Sequence, residues 1–235
     1  MRLDKAIGHA GHGSRRDIAA WAKAGRICVD GVVCKNAAVA VDPLTQSVTL
    51  DGQDIDYQEF YHIILHKPQG YVSSTEDPRD KTVLELLDER HRRMAPFPVG
   101  RLDKDSTGLL LLTTDGALAH RLLAPSKHVD KVYYVTVDGL LRPDMVGRFA
   151  VGVTLGDGTL CRPAGLEILS LTEARVTLRE GKYHQIKRMM AACGVTVTAL
   201  HRHSMGSLML PEDLEPGAWR RVAKLPELVL DGPPE

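Results

Sequence analysis

The stretch PVGRLDKDSTGLLLLTTDG, residues 98–116, places a carboxylate between two cations just before an apolar run. Asp103 stands two residues after Arg101 and one residue before Lys104, and a turn-rich segment separates it from Leu109–Leu112. Four consecutive leucines bounded by turn residues are typical of a buried strand. A surface ion pair is the simplest explanation of these charges, and a reactive carboxylate is the alternative. The rest of the sequence decides between the two.

The charge balance of the chain is neutral overall and uneven along its length. The 235 residues carry 30 basic and 30 acidic side chains, with 43% hydrophobic residues, as in a globular protein with its own core. Residues 1–40 hold seven Lys and Arg against three Asp, a net of +4. Residues 175–205 hold six against one, a net of +5. This segregation predicts basic faces suited to nucleic acid, although solvated helix faces would give the same pattern.

Cysteine usage and hydropathy narrow the class of protein. The four cysteines form no CxxC pair and have no regular spacing, which argues against a zinc site or a disulfide framework. Reduced thiols favour the cytoplasm. The sequence has neither the pattern of a signal peptide nor an apolar segment long enough to span a bilayer. We therefore expect a cytoplasmic protein with no metal ion.

The first 50 residues predict a small domain of two helices and a hairpin. Ser14 is placed to cap the second helix, and Gly25 suits the position just after its end. Asp30-Gly31 between two short apolar segments predicts a tight hairpin turn. The acidic stretch 51–60 is the expected linker, and residues 61–235 form the second domain.

The second domain mixes strand and helix patterns. A capping box, Thr82 to Glu85, precedes a short helix. Hairpin-like spacings dominate over regular βαβ units, so the fold class is α+β with a mixed, mainly antiparallel sheet and packed helices. Strands are predicted at 61–67, 108–114, 131–137, 174–180 and 195–202, and helices at 115–123 and 183–193.

The N-terminal stretch RLDKAI…SRRDIAAWAKAGRICVDGVVCKNAAV resembles an S4 RNA-binding domain over about 45 residues. The resemblance rests on the SR helix, the Gly-Arg turn and the V-D-G hairpin. It implies that basic side chains of this unit contact phosphates of structured RNA. The candidates are Arg2, Arg15, Arg16, Lys23 and Arg26.

The segment GRLDKDSTGLLLLTTDG resembles the active-site motif of the pseudouridine synthases that modify ribosomal RNA, and four other segments agree. These are HKPQGYVSS (66–74), KVYYV (131–135), EGKYHQIKRMMAACG (180–194) and VTALHR (197–202). The resemblance implies that Asp103 is the catalytic residue and that Tyr133 faces the target base. It also implies a cation near the catalytic carboxylate, by position Lys187 with Arg188 as the second candidate, and a contact of Leu200 under the uracil. His66 departs from the family pattern, which has Asn there.

Further residues follow from the same resemblance. Arg101, Ile186 and Arg188 are candidate substrate-binding residues. We expect Arg101 to fill the space left by a flipped base or to clamp its phosphate. Lys67, Lys104 and Lys131 are additional candidate RNA contacts.

The segments LHRHSMG and YHQIKRM place the resemblance closest to the RsuA family, which acts on 16S rRNA. We therefore expect a monomeric isomerase that converts a uridine of 16S rRNA to pseudouridine without a cofactor or a membrane partner. Two alternatives are action on 23S rRNA and a non-catalytic rRNA-binding assembly factor. A third is metal-dependent phosphoryl or nuclease chemistry at Asp103, Asp105 and Asp115, whose spacing matches no metal motif.

Overall fold

The computed structural model describes residues 1–124, 129–222 and 225, and its first unit is a small helix-and-sheet domain. Two helices pack on a four-stranded sheet of order β2-β1-β3-β4. The elements are α1 (Leu3–His9), α2 (Arg15–Lys23), β1 (Ile27–Val29), β2 (Val32–Val33), β3 (Val48–Leu50) and β4 (Gln53–Asp54).

Local signals in this unit act as predicted. The Ser14 hydroxyl accepts a hydrogen bond from the backbone N–H of Asp17, and the Asp17 side chain accepts from the Ser14 N–H in return. Gly25 follows the last turn with φ of 75°. Asp30 and Gly31 both have positive φ, as a tight hairpin turn requires.

The N-terminal sheet extends further than the sequence analysis expected. Residues 51–54 complete a second hairpin, in which Thr49 pairs with Asp54. Ile55 is 1% exposed and packs in the same hydrophobic cluster as α1 and α2. The predicted linker at 51–60 is therefore wrong for its first five residues, since they belong to the N-terminal unit.

The second unit contains the remaining elements. A 3₁₀ turn at Val83–Leu86 precedes its first helix. Its elements are β5 (His62–Lys67), α3 (Glu89–Arg93), β6 (Phe97–Pro98), β7 (Thr107–Thr113), α4 (Gly116–Leu123), β8 (Lys131–Asp138), α5 (Asp144–Val151), β9 (Gly165–Ile168), β10 (Glu173–Leu178), α6 (Gln185–Ala192), β11 (Thr196–Met205), β12 (Leu208–Met209) and β13 (Trp219–Val222).

Within the described ranges these strands form one nine-stranded sheet of order β13-β5-β7-β11-β8-β10-β9, with β6 added to β7 and β12 to β11. Only the β7–β11 pair is parallel there. The α+β class with a mixed, mainly antiparallel sheet is confirmed. The short helix α5 was not predicted, and residues 226–235 of the expected second domain lie outside the described residues.

The leucine run of β7 is buried on both faces of this sheet. Leu110 and Leu112 lie in the hydrophobic cluster that α5 and α6 cover. Leu109 and Leu111 point to the opposite cluster, which α4 covers. Because successive strand residues alternate between faces, an unbroken apolar run requires helices on both sides.

The parallel pairing of β7 with β11 fixes where the loop before β7 ends. Gly108 has φ of 106° and pairs with Arg202. A Cβ on Gly108 would lie 2.2 Å from the carbonyl oxygen of Arg202, so only glycine allows this approach. The close contact holds the start of β7 against the middle of β11.

The two units contact each other through α3. The Arg90 guanidinium donates to the backbone carbonyls of Ala10 and Ile55, at 3.2 and 3.1 Å. Gly11 lies so close that an added Cβ would be 2.3 Å from the Arg90 carbonyl oxygen. No helix among residues 1–124 and 129–222 is both long and apolar enough to cross a bilayer.

Candidate active site

The loop that precedes β7 carries Asp103 and is held by two neighbouring side chains. The Lys67 ammonium donates to the carbonyl oxygens of Asp103 at 3.0 Å and of Ser106 at 2.8 Å. The Ser73 hydroxyl bonds to both the N–H and the carbonyl of Leu102, at 3.0 Å each. The backbone around Asp103 is therefore tied to the segment after β5, and the carboxylate is left free to point elsewhere.

The Asp103 carboxylate meets a lysine from α6. Its Oδ2 lies 3.0 Å from Nζ of Lys187, which also donates to Oδ1 of Asp105 at 2.6 Å. Burial by itself lowers the pKa of the Lys187 ammonium, but the carboxylates of Asp105 and Asp103 outweigh burial and raise it. The same contact lowers the pKa of Asp105. Lys187 therefore stays charged beside Asp103.

A histidine approaches the second oxygen of Asp103. Nε2 of His184 lies 3.4 Å from Oδ1 of Asp103. His184 immediately precedes α6 and has left-handed backbone angles, φ 47° and ψ 37°, which are uncommon for a residue with a side chain. Its ring stacks on Tyr183, with centroids 3.9 Å apart and planes inclined by 19°.

Asp103 lines a cavity of about 690 Å³, within the size range of small-molecule pockets. Tyr133, Leu200 and Ile186 supply largely buried apolar walls. Cationic side chains also line it: Arg101, Lys104, Lys131, Arg179, Lys182 and Arg202. A carboxylate, an aromatic ring and aliphatic side chains thus surround a space with a basic rim.

Two family profiles match the chain. The profile of the RNA pseudouridylate synthases matches residues 61–192, and that of the S4 domain matches residues 1–43. The chain belongs to the RNA pseudouridylate synthase family. It is therefore an isomerase with an N-terminal S4 domain, as the motifs predicted.

Relatives of known sequence match this synthase over nearly their full lengths. It is 44% identical to the uncharacterized RNA pseudouridine synthase YtzG of Bacillus subtilis, over 95% of both chains. It is 42% identical to the ribosomal small subunit pseudouridine synthase A of Escherichia coli, over 95% of this chain and 97% of that one. A crystal structure of a pseudouridylate synthase, 33% identical, aligns over 95% of this chain and 96% of that one with a TM-score of 0.67.

The synthase structure brings several predicted residues together. Asp103, Tyr133, Leu200, Ile186 and Arg101 all line the one cavity. Lys187 contacts the carboxylates of Asp103 and Asp105 and does not itself line the cavity.

Two predicted residues lie elsewhere. Lys67 is 0% exposed, and its ammonium is bound to backbone carbonyls, so the prediction that it contacts RNA is wrong for this structure. Arg188 forms an ion pair with Asp157 and donates to the Tyr183 carbonyl, and it does not itself line the cavity. Its contact with the substrate therefore stays a prediction.

The other predicted RNA contacts lie at the surface or at the cavity rim. Arg2 pairs with Asp4, and Arg26 pairs with Asp51 while lying over the Trp21 ring. Lys104 pairs with Asp80, whereas Lys131 is half-buried at the cavity and donates to the Val129 carbonyl. Those on α2 are exposed: Arg15, Arg16 and Lys23.

Sequence reasoning missed two neighbours of Asp103. Asp105 was considered above as part of a metal site, but it shares Lys187 with Asp103. His184 was inside the quoted motif and received no role, although its position one residue before α6 puts it near Lys187. The ammonium of Lys187 fills the space between the two carboxylates that a metal ion would need, and Asp115 instead caps α4. In the described part of the chain no group of three or more acidic, His or Cys residues is arranged to hold a metal ion.

Proposed function

We propose that this synthase converts a uridine of 16S rRNA to pseudouridine, with Asp103 as the reacting carboxylate. The observation that carries the proposal is the position of Asp103 at the wall of a cavity that apolar side chains also line, with its carboxylate 3.0 Å from the Lys187 ammonium. The choice of small-subunit RNA follows the printed names of relatives that are 42% identical over 95% of the chain.

The reaction breaks the bond between ribose C1′ and uracil N1 and joins C1′ to C5. N1 gains a proton and C5 loses one, so the product is an isomer and no oxidant, phosphate donor or metal is required. A carboxylate beside the ribose can act as a nucleophile at C1′ or as a base at C2′. For either role, the Lys187 ammonium 3.0 Å from the Asp103 carboxylate is placed to stabilise negative charge there.

The detached uracil must stay in place while it rotates. Tyr133 is 8% exposed and Leu200 is 9% exposed, so their positions are held by the surrounding core. They supply an aromatic edge or face and an aliphatic contact that retain a free base without a covalent link. A uridine in folded RNA must leave its stack to enter the cavity, and Arg101 at the rim is placed to meet the backbone of the flipped nucleotide.

The cellular setting follows from the same reading. We place the protein in the cytoplasm as a monomer that acts on ribosomal RNA or on an early ribonucleoprotein intermediate. The four thiols are free in the structure, which suits a reducing compartment. The S4 domain supplies exposed cations on α2 for RNA phosphates.

The test follows the hydrogen that leaves C5. Small-subunit rRNA transcript with tritium at uracil C5 is incubated with wild type or Asp103→Asn, with and without early ribosomal proteins and in the presence of a chelator. We expect release by the wild type only. Release only from large-subunit transcript would overturn the 16S assignment. Binding without release from either RNA would favour an assembly factor, and chelator sensitivity would favour metal-dependent chemistry.

A further inference from the structure

Tyr183 presents an unusually exposed aromatic ring at the mouth of the catalytic cavity. The residue is 77% exposed although it lines the cavity. One face of the ring is covered by His184, at 3.9 Å between centroids and with nearly parallel planes. Nothing else in the catalytic proposal requires this ring, because the apolar walls are built from deeper side chains.

The turn that carries Tyr183 is firmly held. The Gln185 side chain accepts from the backbone N–H of Lys182 at 2.9 Å and donates to Glu180 at 2.6 Å. Glu180 also pairs with the Lys182 ammonium. Arg188 donates to the Tyr183 carbonyl at 3.4 Å. The exposed ring is therefore carried by a turn whose backbone is held by hydrogen bonds.

We propose that the solvent-facing side of Tyr183 stacks on a nucleobase of the RNA strand next to the flipped uridine. This inference rests on the proposed function, since it requires a uridine in the cavity. Bases that have lost their stacking partner are bound in proteins by aromatic faces, and one flipped base leaves its neighbours without a partner. The His184–Tyr183 stack would continue into the RNA and replace the contact that the neighbour loses.

Charge at the cavity mouth fits an RNA strand rather than an apolar peptide. Arg101 lines the same cavity, is exposed, and has no hydrogen bond or ion pair from its guanidinium to any residue in the described ranges. A phosphate of the strand is its natural partner. A base on Tyr183 and a phosphate on Arg101 would together hold the segment that enters the cavity. Stacking accepts any base, so this site contributes affinity more than sequence choice.

The test compares Tyr183→Leu with Tyr183→Phe. Dissociation constants for the small-subunit transcript are measured in the Asp103→Asn background, so that turnover does not alter the RNA. Loss of one base–aromatic stack predicts that Tyr183→Leu weakens binding by about 5- to 150-fold. Tyr183→Phe keeps an aromatic face and should restore most of the affinity. Tyr134→Leu is the matched control, because Tyr134 is 40% exposed on β8 and packs edge-on against His203 instead of lining the cavity.

The outcomes separate this inference from the proposed function. If the transcript binds equally well with Tyr183→Leu and with Tyr183 intact, both in the Asp103→Asn background, the stacking site is overturned. This holds even if wild type releases tritium from the transcript. Equal loss in Tyr183→Phe and Tyr183→Leu would also overturn it, because the hydroxyl and not the ring would then bind. Failure of wild type to release tritium from this RNA overturns the 16S proposal instead. The same comparison is then made on whichever RNA supports release.

Discussion

Two lysines contact the loop that carries Asp103, and they bind different groups of it. Lys67, at the end of β5, is fully buried and binds only backbone carbonyls. Lys187, on α6, is 24% exposed and binds the carboxylates of Asp103 and Asp105. Burial lowers the pKa of Lys67 to about 8, whereas the carboxylates raise that of Lys187. The comparison shows that a lysine facing dipoles orders a loop, and a lysine facing carboxylates supplies charge.

The largest effect should come from removing the charge. Lys187→Met leaves Asp103 and Asp105 without their shared cation, so the negative charge at the reacting carboxylate loses its stabilisation. We expect kcat for tritium release to fall about 100- to 1,000-fold, with little change in the melting temperature. Arg175→Met is the matched control, since Arg175 is a cation paired with Glu167 and does not line the cavity. If Lys187→Met releases tritium with the wild-type kcat, Lys187 has no role in the reaction.

Removing the buried lysine should act first on stability. Lys67→Met has a similar shape but leaves the backbone carbonyls of the loop, including that of the buried Ser106, without their donor, at a cost of about 3 kcal/mol in the free energy of unfolding. Urea denaturation measures this cost. Lys104→Met is the control, because Lys104 is exposed and its pair with Asp80 contributes little. A Lys67→Met protein as stable as wild type would show that the loop keeps its conformation without the ammonium.

The pH dependence of stability gives a second test of the buried Lys67. Lys67 has a folded-state pKa of about 8, below the usual value of 10.5. Between these values the unfolded chain binds more protons, so the wild type gains stability as pH rises. Relative to Lys67→Met, which lacks this group, the gain from pH 8 to pH 9.5 should be about 1–2 kcal/mol. Urea titrations of both proteins at the two pH values test this. If the difference in unfolding free energy between wild type and Lys67→Met is the same at both pH values, the lowered pKa of Lys67 is contradicted.

The sequence analysis predicted the contact of Lys187 with the Asp103 carboxylate, but it did not predict that Lys67 binds backbone carbonyls. The Asp103–Lys187 contact joins residues 84 positions apart, and family motifs predicted it because each motif carries its own residue. Lys67 was misassigned because residue type and motif position do not show that its side chain is buried. Its burial depends on loop carbonyls that lie 36 to 39 positions further along the chain. A pattern of residue types does not show where backbone oxygens will point.

The fold was predictable to a similar degree. Capping at Ser14, the Asp30-Gly31 turn and the leucine run of β7 are local signals, and the structure confirms each of them. The second hairpin was missed although Asp51-Gly52 is itself a turn signal, because an acidic composition suggested a linker. The left-handed backbone of His184 has no local signature, since it follows from the bonded turn of residues 180–185.

Arg101 is a third cation of this site, and its removal should have the smallest effect on stability while still lowering turnover on RNA. Arg101 differs from Lys67 and Lys187 because its guanidinium has no partner in the described part of the chain. Arg101→Ala should therefore leave the urea midpoint unchanged and lower kcat/KM on the transcript by about tenfold, the value of one charge-assisted contact. Arg220→Ala, an exposed arginine paired with Asp213 away from the cavity, is the control. If turnover on RNA is unchanged in Arg101→Ala, its role is neither to clamp a phosphate nor to occupy the space of the flipped base, and Lys187 is left as the cation whose removal should slow the reaction.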